Sequence, residues 1–281
     1  DTEVMMKRIP QAAAAVAVLL GATAAGAQEL PERIASSGVL KSALNAGYAP
    51  MEMLDPATGE FIGFDVDLLK AVGDKLGFEV EYLNGAFEAM TPALQSGRVD
   101  IIWSGFYDTP ARREIFDFID YLRAGAQFYA PLSAGLTSNE ELCGKTITTS
   151  RGTSYPKTVE AFSQKTCVDK GLEPIEVIVD TDRGQQLTNL RTGRAVAAVQ
   201  GLESVPTILE DYPDEFMALG DPISSALMGI AFSKEDVQLR EAFLAALTEL
   251  KEEGVYDELI AKWKLGLSSL DAFTVNQGPQ P

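Results

Sequence analysis

Two stretches of this chain end alike, and both end in groups that could meet a ligand. Leu94 to Gly105 and Leu190 to Gly201 share the spacing L-x-x-G-R, then a short apolar run, then a closing glycine. Each reads as a helix end, a glycine stop and a strand whose last residues are polar or bare, Ser104-Gly105 in one and Gln200-Gly201 in the other. Parallel α/β sheets bind ligands beyond the carboxyl ends of their strands. Two lobes of similar build would therefore set these two ends on opposite walls of one cleft. Arg112, in the run Thr109-Pro110-Ala111-Arg112, could supply the charge such a cleft needs. A planar guanidinium holds a carboxylate through two parallel hydrogen bonds and stays charged at any relevant pH. Other chemistry is excluded. The chain has no histidine, so Ser-His-Asp and Cys-His dyads and the usual His-based zinc sites are out of reach. No phosphate-cradling G-x-x-x-x-G-K run occurs, so ATP hydrolysis falls to another chain. No metal cluster or cofactor motif is found, while catalysis by carboxylates alone stays open.

The elements that must hold these residues follow from apolar spacing. From Val39 onward short apolar runs alternate with longer amphipathic ones, the pattern of strands crossing over through helices into a mostly parallel sheet. Val66, Leu69, Val72 and Leu76 lie at helical spacing within 65–76, and Gly77 stands where a C-terminal glycine cap belongs. Residues 78–82 then alternate at period two, as a half-buried strand does. Leu239, Phe243, Leu247 and Leu250 form another helical stripe that stops at Gly254, and a short helix with Tyr256, Ile260 and Trp263 closes the fold.

The N-terminal residues give the compartment. Lys7 and Arg8, an apolar run from Ala12 to Leu20 and the small residues Ala25 to Ala27 read as a signal peptide, with the mature chain starting near Gln28. That apolar run is too short to remain as a membrane-spanning helix. A periplasmic address is expected. The net charge of −18 is unchanged by removing 1–27, which takes two bases and two acids. Nucleic acid is a poor partner for so acidic a chain, and a solvated acidic surface suits a secreted monomer. In an oxidising compartment the two cysteines, Cys143 and Cys167, are expected to pair, closing a loop stabilised by about 3 kcal/mol in the chain-entropy view.

Taken together, several pieces carry a family resemblance. They are Gly47 to Pro50, Gly59 to Leu68, Phe87 ahead of Leu94 to Asp100, Thr109 to Arg112, Asp117-Phe118 and Gly152 to Ser154. In order and spacing the chain resembles the periplasmic amino-acid-binding proteins of ATP-binding-cassette importers, solute-binding family 3, over almost its whole mature length. The resemblance implies a type II periplasmic-binding-protein fold, two α/β lobes joined by two hinge strands. Lobe 1 would comprise 28–126 and 222–281, lobe 2 would comprise 127–221, and the crossings would fall near Ala126 and near 221–223. It also implies that Arg112 grips the ligand's α-carboxylate, that Tyr48 and Phe87 wall its side chain, and that Thr153 and Ser154 meet its polar end from the second lobe. Ser104, Gly105 and Gln200 complete the expected contacts at the strand ends.

Two positions depart from the family's pattern. Gly201 stands where an aspartate usually holds the ligand's α-ammonium, and Tyr107 stands where a Ser or Thr usually helps with the carboxylate. A buried ammonium without an anionic partner costs several kcal/mol. Either Glu203 substitutes, or the ligand lacks an ordinary α-amine. In the second case an N-substituted, cyclic or methylated derivative could be enclosed by the rings of Tyr48, Phe87, Phe106, Tyr107 and Tyr155. The resulting expectation is a binding protein that closes on an amino acid or a derivative of one and presents it to an inner-membrane ABC permease. The rival is a cyclohexadienyl-dehydratase-like enzyme on the same scaffold, with Glu203 as general acid. A sensor domain feeding a membrane receptor is a third, weaker reading.

Overall fold

The computed structural model describes residues 29–279; the expected leader, 1–27, lies outside them. Two main sheets form the molecule. The first runs, in spatial order, Thr274–Val275, Phe116–Ala124, Ala226–Ser233, Ile101–Ile102, Val39–Leu44 and Glu79–Asn84. The second runs Glu176–Asp180, Thr146–Ser150, Ala197–Gly201, Ala126–Pro131 and Phe216–Leu219. A small antiparallel sheet of Gly47–Tyr48, Glu52–Leu54 and Phe61–Ile62 sits beside the first.

Neither main sheet is mostly parallel as expected. In the first, Val39–Leu44 pairs parallel with Glu79–Asn84 and Ile101–Ile102, and the remaining pairings are antiparallel. In the second, Thr146–Ser150 pairs parallel with both neighbours, whereas Ala126–Pro131 runs antiparallel to its own. The cause is the traffic between lobes. The strands that carry the chain into and out of the second lobe must add to each sheet against the direction of its parallel core.

The repeated sequence unit is a repeated structural unit. The helices Met90–Gln95 and Arg183–Arg191 stop at Gly97 and Gly193, whose φ values of 70° and 68° are the left-handed conformation that glycine adopts without a Cβ penalty. Each stop is closed by a bond of 3.1 Å, from the Gly97 N–H to the Leu94 carbonyl and from the Gly193 N–H to the Leu190 carbonyl. The chain then enters a strand that pairs parallel with an earlier one, Val39–Leu44 in the first lobe and Thr146–Ser150 in the second.

Helix Phe64–Leu76 ends at Gly77 as expected, but its buried face is Phe64, Leu68, Leu69 and Val72; Val66 and Leu76 are only half-buried. The helix is rolled by about one residue because Asp65 turns inward toward the site. Helix Val237–Glu252 buries Leu239, Phe243, Leu247 and Leu250. Phe243 stacks on Phe78 and packs edge-on to Phe232, which fixes this helix against the first sheet. Cys143 and Cys167 are bonded, tying the turn before Thr146–Ser150 to the end of helix Tyr155–Thr166.

The chain passes from the first sheet to the second at Gly125 and returns over residues 220–225. The two crossings touch. The Ile223 N–H donates to the Ala126 carbonyl at 2.7 Å, and the Ala126 N–H donates to Ser224 Oγ at 3.0 Å. A Cβ at Gly125 would lie 2.3 Å from the Ser224 carbonyl oxygen, so only glycine fits there.

Candidate functional site

A cavity of about 450 Å³ lies between the two sheets and is lined from both. Most lining segments lie at or just beyond the carboxyl end of a strand. In the first lobe these are residues 45–48 after Val39–Leu44, Asn84 and Gly85 after Glu79–Asn84, and Gly105 and Tyr107 after Ile101–Ile102. In the second they are residues 150–155 after Thr146–Ser150, residues 181–184 after Glu176–Asp180, and Gln200 near the end of Ala197–Gly201. This is where the strand-end rule puts a ligand.

Arg112 stands in the cavity wall at the end of the short helix Pro110–Arg113, whose N-cap Thr109 accepts from the Arg112 N–H. Its guanidinium lies flat on the Phe106 ring, 3.7 Å from the centroid, with Phe87 at 5.7 Å. One terminal nitrogen donates to the Tyr107 carbonyl at 2.9 Å and the other to the Gly152 carbonyl of the second lobe at 3.2 Å. Two carbonyls leave most of its donors and its charge without an anion. Burial pushes the group down to about 10, which still leaves it protonated at neutral pH.

The phenols of Tyr48, Tyr107 and Tyr155 meet where the lobes face each other. Tyr48 and Tyr155 hydroxyls are 3.0 Å apart, Tyr107 and Tyr155 hydroxyls 3.3 Å, and Tyr107 Oη donates to the Gly125 carbonyl at the crossing, 3.1 Å away. The Tyr48 hydroxyl also donates to Glu203 Oε1. Burial, reinforced by the Glu203 charge, raises Tyr48 and Tyr107 well above the ordinary tyrosine value, so both keep their protons. Glu203 is itself pushed up to about 7 by burial, partly offset by the Tyr48 hydrogen bond, and its Oε2 is buried with no partner.

Of the residues expected from the sequence, Tyr48, Phe87, Gly105, Tyr107, Arg112, Thr153, Ser154 and Gln200 line the cavity. Ser104 and Glu203 do not. The Ser104 hydroxyl turns under the floor, where it donates to Glu52 Oε1 at 2.6 Å and accepts the Asn45 N–H. Beside it Asp65 accepts the Gly105 N–H at 2.8 Å and the Tyr121 hydroxyl, holding the floor in place. Burial raises Asp65 to about 6 and Glu52 well above the carboxylate range. Glu203 sits behind Tyr48. A Cβ built at Gly201 would fall 1.6 Å from Glu203 Oε1 and 2.3 Å from the Tyr48 hydroxyl, so the glycine is what admits that carboxyl. The Thr153 hydroxyl serves its own turn, donating to the Ser150 carbonyl at 2.7 Å, while Ser154 caps no N–H and remains open to the cavity. Gln200 donates to Gln186 Oε1 at 2.8 Å.

Of the five rings offered as one of two alternatives for the ligand's amine end, Tyr48, Phe87, Tyr107 and Tyr155 line the cavity. Phe106 is buried under Arg112 and does not line the cavity, Phe87 faces the same guanidinium, and Tyr48 lies 6.0 Å from the Arg183 guanidinium carbon. Arg183 itself, with Arg151, Asp182 and Asn45, is a lining residue that sequence reasoning missed. The strand-end rule could have found Arg183, because Asp182-Arg183 follows the apolar strand at 176–180 as directly as Ser104 follows its own.

Comparisons with known proteins give the family and the fold. A profile of the bacterial extracellular solute-binding proteins, family 3, matches residues 40–266. The chain is 31% identical over 251 residues to the arginine-binding protein ArgT of Corynebacterium glutamicum, covering 89% of this chain and 82% of that one. A crystal structure of the P235GK mutant of ArgBP from T. maritima superposes with a TM-score of 0.72 at 31% identity, covering 83% of this chain and 97% of the other. The ancestral amino acid-binding protein AncCDT-1, a precursor of cyclohexadienyl dehydratase, matches with a TM-score of 0.73 at 26% identity over 82% of this chain and 97% of that one.

Proposed function

Since the chain belongs to family 3 of the bacterial extracellular solute-binding proteins, we propose that it captures a carboxylate-bearing amino acid, or a derivative of one, in the periplasm and delivers it to an ABC permease. The observation that carries this reading is Arg112, a charged fork in the wall of an inter-lobe cavity with only carbonyl oxygens as acceptors. In this reading two rigid halves, 28–126 with 222–281 and 127–221, close as a monomer on the solute. Arg112 and the Tyr48 and Phe87 walls receive it first. Thr153, Ser154 and Gln200 then shut it in from the other side and exclude water.

The enzyme reading needs a carboxyl group that touches substrate. Glu203 has the raised pKa that such an acid requires, but it lies outside the cavity lining with Tyr48 bonded to one of its oxygens. Binding without turnover therefore accounts better for the site.

Calorimetry against standard and N-substituted amino acids is expected to find a ligand, and Arg112→Lys should weaken it at least about tenfold, because an ammonium cannot reproduce a two-pronged contact. Affinity that survives this substitution, or a protein that binds no carboxylate-bearing solute, removes the reading.

A further inference from the structure

We propose that the solute carries two acid groups, held by Arg112 from the first lobe and by Arg183 from the second. This deepens the capture reading above and rests on it. It is carried by the balance of charge around the cavity. Three arginines line it, Arg112, Arg151 and Arg183, against a single acid, Asp182. Among the described residues none of the three arginines makes a salt bridge. Asp182 is occupied as a helix cap, accepting the Gln185 N–H at 2.9 Å and the Thr181 hydroxyl at 3.1 Å.

Arg183 is held but not neutralised. One terminal nitrogen donates to Ser204 Oγ at 2.7 Å, and Ser204 in turn donates to the Ala49 carbonyl of the opposite lobe at 2.9 Å. Its Nε is buried with no hydrogen-bond partner. That N–H is closed off from the cavity, so a ligand acid would meet the open edge of the guanidinium, where a charge-assisted hydrogen bond is available to it. Glu52 and Glu203 feel the charge of Arg183 without forming a salt bridge to it, and burial raises both carboxyls above their ordinary values. Three of the rings already lie over the protein's own guanidinium groups, Phe87 and Phe106 over that of Arg112 and Tyr48 over that of Arg183, while Tyr107 and Tyr155 pack edge-on to each other. With Gly201 in place of a lining carboxylate, the cavity offers an ammonium no ionised partner except the capped Asp182. The chemistry recognised is a small dicarboxylate, with or without an amine.

Calorimetry on the full chain with L-glutamate, glutarate, L-glutamine and L-arginine tests this. One of the two diacids should bind at least about tenfold tighter than L-glutamine, since a second charge-assisted contact is lost in the amide. Arg183→Gln should erase that preference, lowering diacid affinity about tenfold or more while leaving L-glutamine within about threefold. Arg183→Lys should retain part of it, and thermal melts of both variants establish that they are folded. Glutarate binding as well as L-glutamate identifies an amine-free diacid as sufficient. L-arginine binding tighter than both diacids, or Arg183→Gln weakening diacid and amide alike, overturns the two-acid assignment and leaves the capture reading standing. Failure of all four to bind overturns the two-acid assignment, and the capture reading falls with it only if the wider screen of amino acids and their derivatives also finds no ligand.

Discussion

Gly105 and Gly201 hold the same place in two copies of one backbone unit, and the space that each leaves is used differently. Above Gly105, at a φ of 52°, lies the edge of the Tyr48 ring, 2.6 Å from where a Cβ would stand. Above Gly201 lie the Glu203 carboxyl and the hydroxyl end of the same tyrosine. One side chain thus rests on both glycines, its ring on its own lobe and its polar tip on the other. A repeated scaffold fixes where side chains can go, and non-repeated residues decide what the place is for.

The largest effect should come from filling the two vacancies. Gly201→Ala is expected to cost about 1–3 kcal/mol by overpacking, read as a lowered Tm, and Glu203→Ala should remove part of that cost, more of it when Tyr48→Phe also takes away the hydroxyl that lies 2.3 Å from the added Cβ. Gly105→Ala should be rescued less completely by Tyr48→Ala, because the left-handed backbone at 105 disfavours any Cβ whatever the ring does. Equal rescue at both sites would break the contrast.

A smaller effect should appear with pH. Glu203 is raised to about 7, Asp65 to about 6 and Asp120 to about 7, each chiefly by burial. A carboxyl raised in the folded state binds its proton more tightly there than in the unfolded chain. Its contribution is therefore complete below the ordinary carboxylate range and is lost as pH rises through the folded value. Melting temperature should rise from pH 8 toward pH 5, and Glu203→Gln should flatten that rise. A profile that falls over this window would show these groups to be ionised and well solvated.

The smallest effect belongs to Tyr48→Phe, which keeps the ring over Gly105 and removes only the polar tip. A stability loss of about 1 kcal/mol is expected. Because the Tyr48 hydroxyl favours the charged form of Glu203, its removal should move that carboxyl's NMR titration upward. An unmoved titration would separate the two groups.

The duplicated unit and the C-terminal helices were legible in the sequence because each follows from local spacing, whereas Tyr48, Phe87, Arg112, Thr153 and Ser154 in the cavity wall came from the family resemblance and most of the rest of the wall was not read. Glycine stops and apolar stripes are set by neighbours within a turn or two. Ser104 and Glu203 were misplaced for the opposite reason. At a strand end adjacent residues face different ways, so Gly105 meets the cavity while Ser104 meets Glu52, a partner 52 positions away in sequence. Glu203 is drawn back by a tyrosine from the far lobe, 155 positions away. The antiparallel halves of both sheets escaped notice similarly, since strand direction follows from where the chain crosses between lobes and not from its apolar pattern.

Gly125 has a mechanical consequence. With no side chain between the two crossing segments, and with each hydrogen-bonded to the other, they form one paired link and not two separate tethers. In the capture reading proposed above, any turning of one lobe against the other would have to pass through this link, where the Tyr107 hydroxyl donates to the Gly125 carbonyl.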